Sequence, residues 1–206
     1  LKVQTQDETW EQIVCFAEID SERFRHILRE GLRGKQWREA EQRRASYAGI
    51  GLGIHRKATN SLQTKVAGLE KYRLRCIIAG AVPTCERLHR LKQLDTPLCP
   101  CCGQAPETTE HVFMHCPVHQ HIRLRDFNEA AWQEMPPCLR LHGILPMEYP
   151  TGLPEGVTND LDGLSDFVAR IQYTLLDILR HRQNFCDWNP PKPRWVSNHV
   201  CAFPEN

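Results

Sequence analysis

Apolar residues recur at helical spacing along most of the chain, and no stretch alternates as a half-buried strand would. Trp10, Ile13, Val14 and Ala17 predict a first helix. Asp20 and Ser21 offer an N-cap for a second, with Phe24, Ile27, Leu28 and Leu32 on one face; it either breaks near Gly34 or runs on to Ser46. Gly49, Gly51 and Gly53 make a corner whose spacing does not fit a dinucleotide fingerprint. Leu62, Val66 and Leu69 predict a short helix after Asn60, and an apolar run follows over 72–81 until Pro83 ends it. Thr84 can cap a further short helix carrying Leu88 and Leu91. Thr108 can cap one bearing Val112 and Phe113, which Pro117 interrupts, and another is expected over 117–132. Five prolines and two glycines between 136 and 154 predict an extended loop. The clearest helix opens at Asp160, with Leu161, Leu164, Val168, Ile171, Leu175 and Ile178 on one face and Arg180, His181 and Arg182 at its C-terminal end. A tail from Asn189 is irregular. The fold class expected is mainly α.

Composition narrows the setting. At 206 residues the chain can bury one sizeable core or carry a helical domain with a small satellite. No apolar run is long enough to span a bilayer, no signal segment opens the chain, and the first residue is Leu1, as in a piece of a longer protein. Ten cysteines are present, and Cys99, Cys101, Cys102 and Cys116 fall within eighteen residues. Clustered cysteine with interleaved histidine reads as a metal site in a reducing compartment, hence an intracellular protein of nucleus or cytoplasm. The net charge of +1 hides a polarity: residues 22–92 hold 17 Lys and Arg against 6 Glu, or +11, and the remainder holds 9 basic and 19 acidic residues, or −10. A basic segment of that size suits a polyanion such as nucleic acid; the plainer account is solvated helix faces balanced by the acidic remainder.

The cysteine-rich stretch CPCCGQAPETTEHVFMHC can be written C-x2-C-x8-H-x4-C, with Cys99, Cys102, His111 and Cys116 as four N or S ligands for a tetrahedral Zn2+. Gly103 follows the second cysteine, where a knuckle turn calls for positive φ. His111 and Cys116 would lie about 140° apart on an ideal helix. They converge only if the helix ends between them, and Pro117 provides that end by pushing Cys116 out of the helical region. His115, one turn from His111, competes as a ligand; Cys101 competes with Cys102, and His119 is a further spare. Four closed ligands leave no position for water, so the zinc is structural and the holo site carries a charge of −1.

The run over 96–119 also resembles the zinc-binding domain found downstream of the polymerase core in reverse transcriptases of LINE-type (non-LTR) retrotransposons. The shared pattern is Cys99 and Cys102, then Glu107 with Thr108, His111, Val112 with Phe113, and Cys116 with Pro117. The stretches 79–91, from Arg43 onward, and 136–146 are similar to segments flanking that domain. The resemblance implies a C-terminal portion of an element-encoded polyprotein whose polymerase core lies upstream. No Tyr-x-Asp-Asp signature is present, so catalysis is not assigned to this chain.

The organisation expected is a basic helical region over 1–95, a zinc knuckle over 96–120, a C-terminal helical region over 121–188 containing the Pro-rich loop at 136–154, and the tail over 189–206. Arg43, Arg44, Arg56, Lys57, Arg73, Arg75, Arg87 and Arg90 are the residues expected to hold RNA or DNA through phosphates, without sequence preference. The rival readings are a zinc-stabilised protein-interaction domain and a nuclease. The acids Asp160, Asp162, Asp166 and Asp177 sit mostly on the polar side of one helix, which is a poor arrangement for two metals. The remaining cysteines read as core residues, and Trp188 and Trp195 as packing residues of the tail.

Overall fold

A computed structural model describes residues 20–149 and 152–186 in full, and the backbone of 2–4 and 10–12. It is mainly helical. The expected first helix is not what Trp10 joins: Lys2–Gln4 (β1) and Trp10–Gln12 (β2) pair antiparallel, Val3 opposite Glu11. Ile13, Val14 and Ala17 lie outside the described residues, as do Trp188, Trp195 and the whole of 189–206.

Helix α1 (Ser21–Arg43) starts where Asp20 accepts hydrogen bonds from the amides of Glu22 and Arg23, satisfying two donors of the first turn. It runs through Gly31 and Gly34 without a break. Its expected apolar face is only partly used, since Ile27 is buried and Leu32 is exposed. Helices α2 (Arg56–Lys65) and α3 (Gly68–Ile78) follow, α2 starting earlier than Leu62 and Val66 suggested. Helix α3 ends before Pro83, because Gly80 turns left-handed and the Ala81 amide reaches back to the Cys76 carbonyl at 2.8 Å. Thr84 caps α4 (Cys85–Arg90).

Two expectations for the second half need correction. The single helix over 117–132 is broken into a tight turn at Pro117–His119, α5 (Gln120–Asp126) and α6 (Glu129–Glu134). The break is a fresh N-cap: Asn128 accepts from the Ala131 amide at 2.8 Å. The stretch 136–154 is not an extended loop throughout, because Pro137–His142 forms α7, with proline at its first turn and Gly143 closing it. Cys138, Leu139, Leu141, Ile144 and Leu145 are buried there.

Helix α8 (Leu161–Gln183) is the spine. Asp160 caps it through the Gly163 amide at 2.7 Å, and Leu164, Phe167, Val168, Ile171, Leu175 and Ile178 are buried along it. One cluster joins these to Leu62 of α2, Leu74 and Ile77 of α3, Val112, Phe113 and Met114 ahead of Pro117, Trp132 of α6 and Leu139 of α7. A buried leucine or phenylalanine contributes roughly 1.5–3 kcal/mol, so this shared core is the main source of stability. Among its buried polar groups is Gln172, whose amide donates to the carbonyls of Thr59 and Gly143, both at 2.8 Å. Gly143 permits the contact: its φ is +61°, and a Cβ there would meet Gln172 Cγ at 2.6 Å.

Candidate metal centre

The C-x2-C segment forms a closed loop. Leu98 and Pro106 face each other across an antiparallel bridge, and the Cys99 amide donates to the Ala105 carbonyl at 2.8 Å. The Gly103 amide returns to the Cys99 carbonyl at 2.8 Å, with Gly103 at φ +66° as a knuckle turn requires. Cys99 and Cys102 thereby face one side of the loop.

The second pair is brought together by an unusual turn. Thr108 accepts from the His111 amide at 3.0 Å, the cap the sequence suggested. The chain from His111 to His115 then winds wide, and the Cys116 amide donates to the His111 carbonyl, five residues back, at 2.7 Å. Such a π-type turn rotates less per residue than an α-helix, so the fifth residue comes back closer to alignment with the first. Cys116 leaves it extended, at φ −64° and ψ 118°, as expected of a residue before proline. Pro117 thus provides the exit, and the widened turn supplies the rest of the convergence.

The ligand atoms of Cys99, Cys102, His111 and Cys116 all lie within 4.8 Å of one another. Cys99 Sγ is 3.9 Å from Cys116 Sγ, and Cys102 Sγ is 3.3 Å from His111 Nε2. A tetrahedron with Zn–S of 2.3 Å and Zn–N near 2.05 Å has edges of about 3.8 Å between sulfurs and about 3.6 Å between sulfur and nitrogen. The donor set therefore fits the ion in type, number and spacing. Burial pushes the Cys116 thiol up to about 12, while the Cys101 thiol, then local amides and His111, draw Cys99 down to about 4. Three thiols that face one another cannot all ionise unless a cation sits between them, and zinc is such a cation.

The competitors stand elsewhere. Cys101 hydrogen-bonds to Cys99 from outside the group of four. His115 is exposed, with Nε2 3.8 Å from Glu110. His119 is fully buried and turns Nδ1 to Nδ1 of His181 at 3.2 Å.

Two buried charges support the centre, and sequence reasoning gave neither this role. The Arg123 guanidinium donates to the Cys116 carbonyl at 3.0 Å, placing a cation beside the thiols. Glu107, with no exposure at all, accepts from Arg182 Nε and Nη2 of α8 and from the Cys85 amide of α4, each at 2.7 Å. Arg182 also donates to the Pro83 carbonyl at 3.2 Å. Burial opposes the Arg182 charge, yet the hydrogen bonds and charge of Glu107 raise its pKa on balance. Both partners sit far apart in sequence, which hid the pair; the one visible signal was Glu107 inside the Glu-Thr pair of the resemblance.

The eight basic candidates are spread over several elements. Arg43, Arg44, Lys57, Arg75, Arg87 and Arg90 are exposed, and Arg56 and Arg73 half-buried. Arg43 pairs with Glu39 at 3.6 Å and Arg56 with Glu30 at 3.8 Å, whereas Arg73 contacts Gln183. Arg44 and Arg87 approach the same corner: Arg44 lies over the Tyr47 ring, whose hydroxyl donates to Ile78 O, and Arg87 donates to Gly80 O at 3.5 Å. No helix among the described residues is long and apolar enough to cross a membrane.

Neither the curated proteins nor the solved structures contain a match to this chain. Residues 58–122, which hold all four convergent side chains, match the family described as zinc-binding in reverse transcriptase, and with the Cys3His cluster this makes the segment a structural zinc-binding module of the kind associated with reverse transcriptases.

Proposed function

We propose that the chain is a non-catalytic, nucleic-acid-binding accessory module of a LINE-type retrotransposon reverse transcriptase, working beside a polymerase core carried upstream in the same polyprotein. Cys99, Cys102, His111 and Cys116 hold one Zn2+ that fixes the knuckle. Arg43, Arg44, Arg56, Lys57, Arg73, Arg75, Arg87 and Arg90 hold RNA or DNA by its phosphates. The observation that carries this reading is the four-ligand cluster inside the matched segment. The charge distribution supports the polyanion. Every ion pair that a Lys or Arg of 22–92 makes among the described residues is with a Glu of that same segment: Arg33 and Arg56 with Glu30, Lys35 and Arg43 with Glu39. Among the described residues no carboxylate of the acidic remainder pairs with a Lys or Arg of this segment, and the remainder's Arg180 instead takes Glu70. The excess of +11 is therefore left for an external partner.

Two measurements test the reading. Protein purified without added metal should contain one zinc per chain; Cys99→Ser and Cys116→Ser should lose it and Cys101→Ser keep it. A metal-free folded protein would remove the basis of the proposal. Binding of unrelated RNA and DNA sequences should weaken steeply with salt, each neutralised phosphate releasing a counterion. Replacing Arg43, Arg44, Arg56 and Lys57 together by Ala should flatten that slope without changing zinc content. Equal slopes for wild type and variant would favour the reading in which the basic helices dock an acidic protein.

A further inference from the structure

A cleft of about 510 Å3 opens between the C-terminal end of α2, the outer stripe of α8 and the loop before α8. That volume is in the range of sites for small ligands, roughly 300–1,000 Å3. Its apolar lining includes Leu62 and Val157, and its polar side chains are Lys65, Thr158, Asp166, Arg170 and Tyr173. The last three recur at i, i+4 and i+7 on α8 and so share one face. Tyr173 is 39% exposed, a large aromatic surface on the solvent side of α8 beside the exposed Asp166 and Arg170. Among the described residues, no carboxylate pairs with Lys65 or Arg170, and Asp166 pairs with no cation; the Arg170 guanidinium rests only on the Phe127 ring, 5.7 Å from its centre. Internal packing therefore leaves the polar groups of the cleft open to a ligand.

We infer that this cleft receives one unstacked nucleotide of a single-stranded RNA or DNA, with the base against Tyr173 and its phosphate between Lys65 and Arg170. Each part of the lining matches one part of that ligand. An aromatic face takes any base, two cations take a phosphate, the half-buried Val157 covers the base edge, and Asp166 accepts from a base N–H. An uncharged or apolar ligand would leave the two cations without a partner, and an acidic peptide would leave the aromatic face unused. Position favours a polynucleotide as well. Lys57 and Lys65 are two i, i+4 steps apart on α2, about 12 Å along its axis, so the cleft continues the basic side of that helix. The inference rests on the nucleic-acid reading above and adds a strand preference to it, since a base inside a duplex cannot enter the cleft.

The test measures binding of the 206-residue chain to a labelled single-stranded 12-mer RNA of mixed sequence and to the matching duplex, over a range of salt. The single strand should bind more tightly. Tyr173→Ala should weaken it by about 10-fold, the usual scale for losing one stacked base, and leave the duplex unaffected; Tyr173→Trp should retain the wild-type affinity. Lys65→Ala with Arg170→Ala should lower the single-strand salt slope by roughly 0.7 for each phosphate no longer neutralised. Zinc content and far-ultraviolet circular dichroism establish that each variant is folded. If wild type binds with a steep salt slope and the cleft variants bind like it, the cleft assignment is wrong and the broader reading survives. If wild type binds neither nucleic acid, both are wrong.

Discussion

Glu107→Gln tests how the metal loop is held to the rest of the molecule. The native carboxylate is fully buried and accepts three hydrogen bonds of 2.7 Å, two of them from the Arg182 fork. The amide keeps the shape and one acceptor oxygen but removes the charge, and it turns an N–H group toward a guanidinium that is itself buried. Breaking a buried pair from one side costs about 3–5 kcal/mol, because the remaining charge has no solvent to return to. Retention of the Cys85 hydrogen bond puts the expected loss near the bottom of that range, about 3 kcal/mol, a large share of the roughly 5–15 kcal/mol of an ordinary domain. Arg182→Met should cost as much or more, because it leaves a carboxylate with no exposure and one amide partner. The double variant Glu107→Met, Arg182→Met should cost much less than the sum, since it leaves no orphaned charge. Urea unfolding of all four proteins, zinc-loaded at neutral pH, gives the cycle. A loss under about 1 kcal/mol for Glu107→Gln, or strict additivity in the double variant, would show that the pair does not hold the metal loop to α8.

Two further outcomes follow from buried groups elsewhere. His142 is stacked on Tyr47 with ring centres 4.2 Å apart, and its Nδ1 meets the Ile77 carbonyl at 2.9 Å, so that nitrogen carries the proton and the buried Nε2 is bare. Burial holds its pKa down at about 4 against 6.5, so the neutral ring stabilises the fold above pH 6.5 and that stability is lost as pH falls toward 4, to a total of about 3 kcal/mol. The pH dependence of urea midpoints should be shallower in His142→Gln across that window; an identical dependence would contradict the assignment. Gly143→Ala should destabilise by more than about 1 kcal/mol, from the positive φ and the collision with Gln172 together; thermal unfolding measures it, and a neutral result would mean that the Gln172 contact yields freely.

The parts of this structure that could be read from the chain are those whose causes are local. Asp20 and Asp160 sit next to the amides they cap, and the stripe from Leu164 to Ile178 lies on one helix. The four side chains that converge, Cys99, Cys102, His111 and Cys116, could be picked out by spacing and residue type. Pro137 and Gly143 also carried a local signal, a proline in a first turn and a glycine after a last one, which the density of prolines around them obscured. The same holds for Asn128, an N-cap inside what looked like one long helix. Other features had no local cause. The widening at His111–His115 goes with three successive residues, Val112, Phe113 and Met114, all entering the core, while His111 and the Cys116 that follows the turn join the sulfurs and His115 stays exposed. Glu107 looked like a surface acid because the arginine that neutralises it stands 75 positions away.

The turn at His111–His115 therefore belongs to two structures at once. His111 at its start and the Cys116 that follows it face the metal-binding group, and its middle is packed among α6, α7 and α8. The stretch that resembles known zinc-binding sequences stops at residue 122, short of Trp132, Leu139, Arg182 and most of the surfaces that receive it. Cut out at those limits, the segment would keep all four convergent side chains but lose the α6, α7 and α8 side of the packing around Val112, Phe113 and Met114, and Glu107 would lose Arg182. The boundary at which similarity fades is thus not a boundary at which the polypeptide can be divided. A metal-binding titration on this protein would report the assembly of a helical core as much as the closing of a small loop.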